Sequence, residues 1–267
     1  MPKHNGRELD AQLSPRDDRD WQGIVCFAPL HETGAVPEAW SYRKYCLPVR
    51  NQGVEGSCFP HAVTGLREIQ EKIDVGLAEY LSPQWIYNRR PDLKAQGMNG
   101  RDVMKILQDV GCVMEDEYCY GTRDLKPLKN PKLLDQASRF RIAHYALVMG
   151  AREVRAAIWS TGPVALVVPV YSRAPEWSFW QDLGELKGYH AVCAVAYDTE
   201  GLLIRNSWGT EYSAHGYTKM LWADWRFVAE CWSTTDAPTP DAVQPPVPRN
   251  GWWRQTKERI KQWTGLR

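Results

Sequence analysis

The chain has 267 residues, enough for one large domain or two lobes sharing a core. It carries 33 basic against 32 acidic side chains, a formal net charge of +1, so its overall electrostatics argue for neither nucleic-acid binding nor membrane association, and no nucleic-acid partner is expected. No apolar run approaches the roughly 18 residues of a membrane span.

In chain order, residues 1–36 read as a polar leader without the apolar core of a secretory signal. This predicts a cytoplasmic protein, with residence in a virion as the alternative setting. Trp21, Ile24, Val25 and Phe27 are expected to dock part of the leader on the body. Ala62, Leu66, Ile69 and Ile73 recur at helical spacing. Pro60 fits only a first turn, so that helix must begin near Cys58. Ser82-Pro83 reads as an N-cap followed by proline at the first helical position. Arg101 to Val110 repeats the helical period and stops at Gly111, and Ala151 to Ser160 forms another helix ended by Gly162-Pro163. Strands follow at 164–171, 190–198, 201–208 and 216–221. Helices first and strands later predict an α+β protein with two lobes.

The body therefore spans residues 37–235. Residues 236–250 hold five prolines and read as an extended linker. Residues 251–267 form a basic, Trp-containing amphipathic helix candidate. Its readings are docking on a protein partner, docking on an anionic membrane surface, or packing back on the body. None of the seven cysteines lies in a CxxC pair, which argues against a zinc site of usual spacing and for reduced, buried thiols.

The densest chemistry lies between Gln52 and Phe59. A nucleophilic thiol must be ionised and reachable, and the start of a helix favours the anion through its dipole and unpaired N–H groups. Cys58 stands there, and the small residues Gly56 and Ser57 before it leave room for a substrate backbone. The Cys58 N–H and the Gln52 side-chain amide are candidates for an oxyanion hole. His190, at the start of a strand, is the candidate base. Asn206, at the end of the next strand, is placed to orient it, and Trp208 to shield that bond from water.

QGVEGSCF, GYHAV and RNSWG resemble the three active-site blocks of the papain family of cysteine peptidases. They stand in the family's order, with His190 and Asn206 lying 132 and 148 positions after Cys58. LSPQWIY and EYSAHGYTKM extend the resemblance over roughly 37–235. It implies a helical left lobe, an antiparallel β-barrel right lobe and a cleft between them. The implied chemistry is peptide-bond hydrolysis by a Cys58–His190–Asn206 triad through a thioester, on a polypeptide substrate and without a cofactor or metal. Asn99 and Gly100 match part of the family's glycine-rich wall for the substrate backbone, whereas Arg101 replaces its second glycine. Glu55 replaces a cysteine of the usual disulfide framework and adds negative charge that would favour basic substrate groups. His61, on the nucleophile's helix, is expected to pack or cap. The leader is shorter than the family's propeptides but long enough to cover the cleft. Two further readings stay open: a transamidase or amidase using the same triad, and a structural or docking protein of a larger assembly, such as a phage particle, with an inactive cleft.

Overall fold

The computed structural model describes residues 3–4, 7–17, 20 and 36–236. The expected C-terminal helix, the linker beyond Asp236, and Trp21, Ile24, Val25 and Phe27 lie outside these residues.

The left side of the molecule is built on α1 (Cys58–Val75). The expected apolar stripe is present, yet residues 58–71 are buried all the way round. Arg67, Glu68 and Glu71 are therefore buried with it, so their charges need partners. Gly76 ends the helix in the left-handed region at φ 76°, its N–H donating to the Glu71 carbonyl. Around α1 lie α2 (Pro83–Tyr87), α3 (Gly100–Asp109) and α4 (Pro131–Ser138). Their caps follow the local sequence: Ser82 accepts from Trp85 N, Asn99 from Asp102 N, and Asn130 from Lys132 N.

The right side is a seven-stranded sheet. It comprises β4 (Trp40–Ser41), β6 (Ile142–Leu147), β7 (Val164–Tyr171), β8 (Leu186–Tyr197), β9 (Gly201–Arg205), β10 (Tyr217–Leu221) and β11 (Glu230–Asp236). Its order is β10-β9-β8-β7-β11-β6, with β4 also on β8, and every pairing is antiparallel. The α+β, two-lobe class is as expected, but the strands follow an open path instead of closing into a barrel. Helix α5 (Ala151–Thr161) packs on this sheet, and α1 packs on β7 and β8, which seals the two sides together.

Among the elements not expected from the sequence are α4, β4, β6 and β11. The strand expected over 201–208 ends at Arg205, because the next residues leave the sheet to meet the segment before α1. There Gln52 N donates to Ser207 O at 2.9 Å, and Asn51 bridges Trp208. The leader adds the two-residue strands β1 (Lys3–His4), β2 (Arg7–Glu8) and β3 (Ala11–Gln12). The last pairs in parallel with β5 (Met98–Asn99), Ala11 opposite Met98 and Gln12 opposite Asn99.

Candidate active site

Cys58 is the first residue of α1, as Pro60 requires. The preceding Ser57 makes no side-chain cap. Its hydroxyl instead meets Tyr120 Oη at 2.7 Å, and Tyr120 Oη donates to Gln52 O at 2.7 Å. Gly56, Ser57 and Gln52 are thus held in one tight turn over the helix start. The Gln52 amide is pinned at both ends: Oε1 accepts from Ser207 Oγ at 2.6 Å and Nε2 donates to Glu55 O at 3.1 Å. An amide nitrogen carries two hydrogens, so Nε2 keeps one for another acceptor.

His190 lies on β8 opposite Val168 of β7, and it is completely buried. Its Nε2 meets Asn206 Oδ1 at 2.8 Å, and the same oxygen accepts from Ser207 N at 2.7 Å. An acceptor at Nε2 selects the ring form with hydrogen there and directs Nδ1 to the other side. Trp208 stacks on the ring at 4.4 Å and 22°, with Phe179 edge-on at 5.7 Å. Phe179 and Tyr212 in turn pack on Trp208. This aromatic box keeps water from the His190–Asn206 bond. Trp208 was legible in the sequence; Phe179 was not, since nothing in its spacing separates it from a core residue.

The structure brings His190, Asn206 and Trp208 together, joins Gln52 to Ser207 beside Asn206, and sets Cys58 at the residue that follows His190. The Cys58 sulfur is approached by the backbone amide of Ala191, the residue after His190. Burial pushes the Cys58 thiol from 9.0 up to about 11, only partly offset by the amides of Ala191, Phe59 and Asp10. The third of these belongs to the leader. Residue 10 threads between two glycines: a Cβ on Gly56 would lie 2.7 Å from Asp10 Oδ2, and one on Gly97 would lie 1.6 Å from Asp10 O. The leader therefore lies directly over the thiol.

Gly97, Met98 and Asn99 form the wall along which the leader runs, displaced from the Asn99–Gly100 pair singled out in the sequence. The Asn99 side chain caps α3, and Gly100 faces inward, where a Cβ would lie 2.2 Å from Trp232 Nε1. Arg101 holds the leader further along. Its Nε donates to Asp20 Oδ1 at 2.9 Å, its Nη2 pairs with the same carboxylate, its Nη1 donates to Pro15 O, and its backbone N–H donates to Ser14 Oγ at 3.2 Å. Ser14 donates from N and Oγ to the Glu230 carboxylate, which also accepts from Trp232 Nε1 at 2.7 Å.

Glu55 does not present bare negative charge to the cleft, because Arg123 pairs with its carboxylate and Gln84 Nε2 approaches at 3.5 Å. The described cysteines are free thiols. His61 packs edge-on against Tyr120, with Nδ1 2.9 Å from Ser57 O, and burial drives its pKa down to about 3. It is a neutral packing residue, as expected. Among the described residues no His, Cys, Asp and Glu group could hold a metal, and no helix is long and apolar enough to cross a membrane.

Residues 36–237 match the family model described as papain family cysteine protease. The chain is 28% identical over 203 residues to a cathepsin L-like proteinase of Phaedon cochleariae, covering 70% of this chain and 61% of that protein. It is 28% identical over 216 residues to cathepsin K of Mus musculus, covering 74% and 64%. It thus spans less than two thirds of the length of these relatives. Among solved structures, xylellain, a cysteine protease from Xylella fastidiosa, superposes with a TM-score of 0.70 at 20% identity, over 89% of this chain and 99% of that one. The Carica candamarcensis cysteine protease CMS1MS2, solved in complex with E-64, gives 0.60 at 22% identity, over 76% and 100%.

Proposed function

Because the chain belongs to the papain family of cysteine proteases, we propose that it hydrolyses peptide bonds in polypeptide substrates with Cys58 as nucleophile, His190 as acid and base, and Asn206 as the residue that orients the base. The observation that carries this reading is the 2.8 Å contact between His190 Nε2 and Asn206 Oδ1, in a water-excluding aromatic box beside a thiol at a helix start.

The Cys58 thiolate attacks the scissile carbonyl carbon, and the charge that develops on its oxygen is met by the Cys58 N–H and the free hydrogen of Gln52 Nε2. The imidazolium of His190 protonates the leaving amine as the C–N bond breaks, leaving a thioester. Water, deprotonated by His190, then attacks the thioester and returns the thiol. Donors of this kind are each worth about 3 kcal/mol of barrier, provided they are held before the reaction begins. The double anchoring of the Gln52 amide supplies that rigidity.

In this reading the leader at Asp10 restrains the site, and burial beside it disfavours the Cys58 thiolate. The test is turnover of a fluorogenic peptide by full-length chain carrying Arg101→Ala, which loosens the leader. Hydrolysis abolished by Cys58→Ala supports the reading; absence of hydrolysis with Cys58 shown open to alkylation sinks it.

A further inference from the structure

Two arginines, Arg50 partly buried and Arg205 buried, flank the segments that carry the reactive groups. Arg50 precedes Gln52 by two residues, and Arg205 immediately precedes Asn206. Both side chains turn toward α1. Arg50 Nη2 donates to Glu68 Oε1 at 2.7 Å and to Thr64 Oγ1 at 2.8 Å, both on α1. Its Nη1 donates to Leu81 O at 2.8 Å and Glu115 Oε2 at 2.9 Å. The same Glu68 oxygen accepts from Leu81 N at 3.1 Å.

Arg205 reaches α1 through a gap that only glycine leaves. A Cβ on Gly65 would stand 2.3 Å from Arg205 Nη1, with no other atom named within 4 Å except Arg205 Cζ. Arg205 Nη2 donates to Pro48 O at 3.0 Å and, more distantly, to Leu47 O at 3.3 Å. Its charge and that of Glu68 favour one another across this gap. The backbone closes the circuit, since Gly209 N donates to Arg50 O at 3.0 Å and Gln52 N to Ser207 O at 2.9 Å.

We infer that Glu68, with Arg50 and Arg205, sets the spacing between the helix that carries Cys58 and the segments that carry Gln52 and Asn206, and is a positioning residue for the hydrolysis proposed above. Arg50 binds the Glu68 carboxylate ten positions along α1 from Cys58, and Arg205 meets the same helix about one turn earlier, at Gly65. A guanidinium is rigid and forked, so two of them on one helix fix direction as well as distance. Apolar packing of the same surfaces fixes distance far less strictly. The reaction is sensitive to this kind of registration, because a displacement of about 1 Å in a catalytic group can lower a rate about a hundredfold. This inference rests on the peptidase reading.

The methyl of Gly65→Ala would occupy the place of the Arg205 guanidinium. In full-length chain carrying Arg101→Ala, Gly65→Ala and Glu68→Gln are each expected to lower kcat about tenfold or more, with KM within about twofold, when assayed well below each variant's thermal midpoint. Arg205→Lys, which keeps the charge but loses the rigid fork, is expected to lower kcat as well, and parental kcat there would show that charge alone suffices and overturn the inference. Parental kcat in both Gly65→Ala and Glu68→Gln overturns the inference. So does a kcat loss that disappears when the assay is cooled well below the variant's unfolding transition. A parent that cleaves no peptide although its Cys58 is open to alkylation refutes the hydrolase reading instead. The crystal structure of Gly65→Ala then decides this one: Gln52 and Asn206 displaced relative to Cys58 uphold it, and all three in place refute it.

Discussion

Replacing Arg101 by alanine should open the cleft by an amount that can be worked out from its contacts. The guanidinium makes two contacts to the Asp20 carboxylate and one to Pro15 O, with the Arg101 and Asp20 side chains only 9% and 7% exposed. Removing one partner of a buried ion pair costs about 3 kcal/mol at the low end. That cost falls on the closed state alone, since in the open state Asp20 returns to water. A shift of about 3 kcal/mol moves the closed-to-open ratio by about a hundredfold. Alkylation of Cys58 by iodoacetamide at pH 7, read site by site by mass spectrometry, reports the open fraction. In the full-length chain the rate at Cys58 should rise by about a hundredfold with Arg101→Ala, up to the ceiling of a fully open chain. The exposed Cys119 should label equally in both proteins. Equal Cys58 rates in parent and variant, with the variant folded, would refute the reasoning and move the leader's anchorage elsewhere.

The same assay should respond to Gly97→Ala, because residue 97 has φ +80° and its Cβ would stand 1.6 Å from Asp10 O; faster Cys58 labelling is expected, and an unchanged rate would show that the leader sidesteps the methyl. His61 titrates near 3 when folded against 6.5 for the free side chain, so the unfolded chain takes up a proton that the folded one refuses. Its contribution to stability is complete above about pH 6.5 and is lost as the pH falls toward 3. His61→Gln should flatten the fall in urea midpoint between pH 7 and pH 4 while leaving peptide hydrolysis near the parental rate, and a hydrolysis loss above tenfold would contradict its packing role. Trp208→Ala should cost about 3–5 kcal/mol in denaturant unfolding and lower kcat about tenfold by admitting water to the His190–Asn206 bond, whereas Trp208→Phe should recover most of both; equal losses in the two variants would show that shielding is not what the indole provides.

Much of this arrangement could be read from the sequence because it rests on local rules. Pro60 dictates where α1 begins, and the run 164–171 coincides with β7 residue for residue. Gln52, Cys58, His190 and Asn206 were proposed from spacing and order, and His190 meets Asn206 at 2.8 Å. What stayed hidden depends on contacts distant in sequence. The β11 segment ECWSTTD has no clean alternation, and it becomes a strand because β6 and β7 flank it on both sides. Helical periodicity marks one apolar face of α1, yet charged residues elsewhere on it are buried as well, Glu68 paired with Arg50 from another segment and Glu71 with Arg67 of the same helix. Residues Leu9 to Gln12 carry no period at all, and their place is set by Gly56 and Gly97, far along the chain. The negative charge of Glu55 was visible, but the arginine that neutralises it lies 68 positions on.

The leader and the cleft it covers belong to one polypeptide. Closure is therefore unimolecular, governed by an effective concentration that dilution of the protein cannot lower. An intact chain should show the same Cys58 labelling rate at nanomolar as at micromolar protein. A single peptide-bond cut between Asp20 and Val36 would change the order of the process, leaving the leader as a separate ligand that escapes on dilution. Exposure of the thiol would then track total protein concentration, so one covalent event would turn a closure insensitive to amount into one governed by mass action.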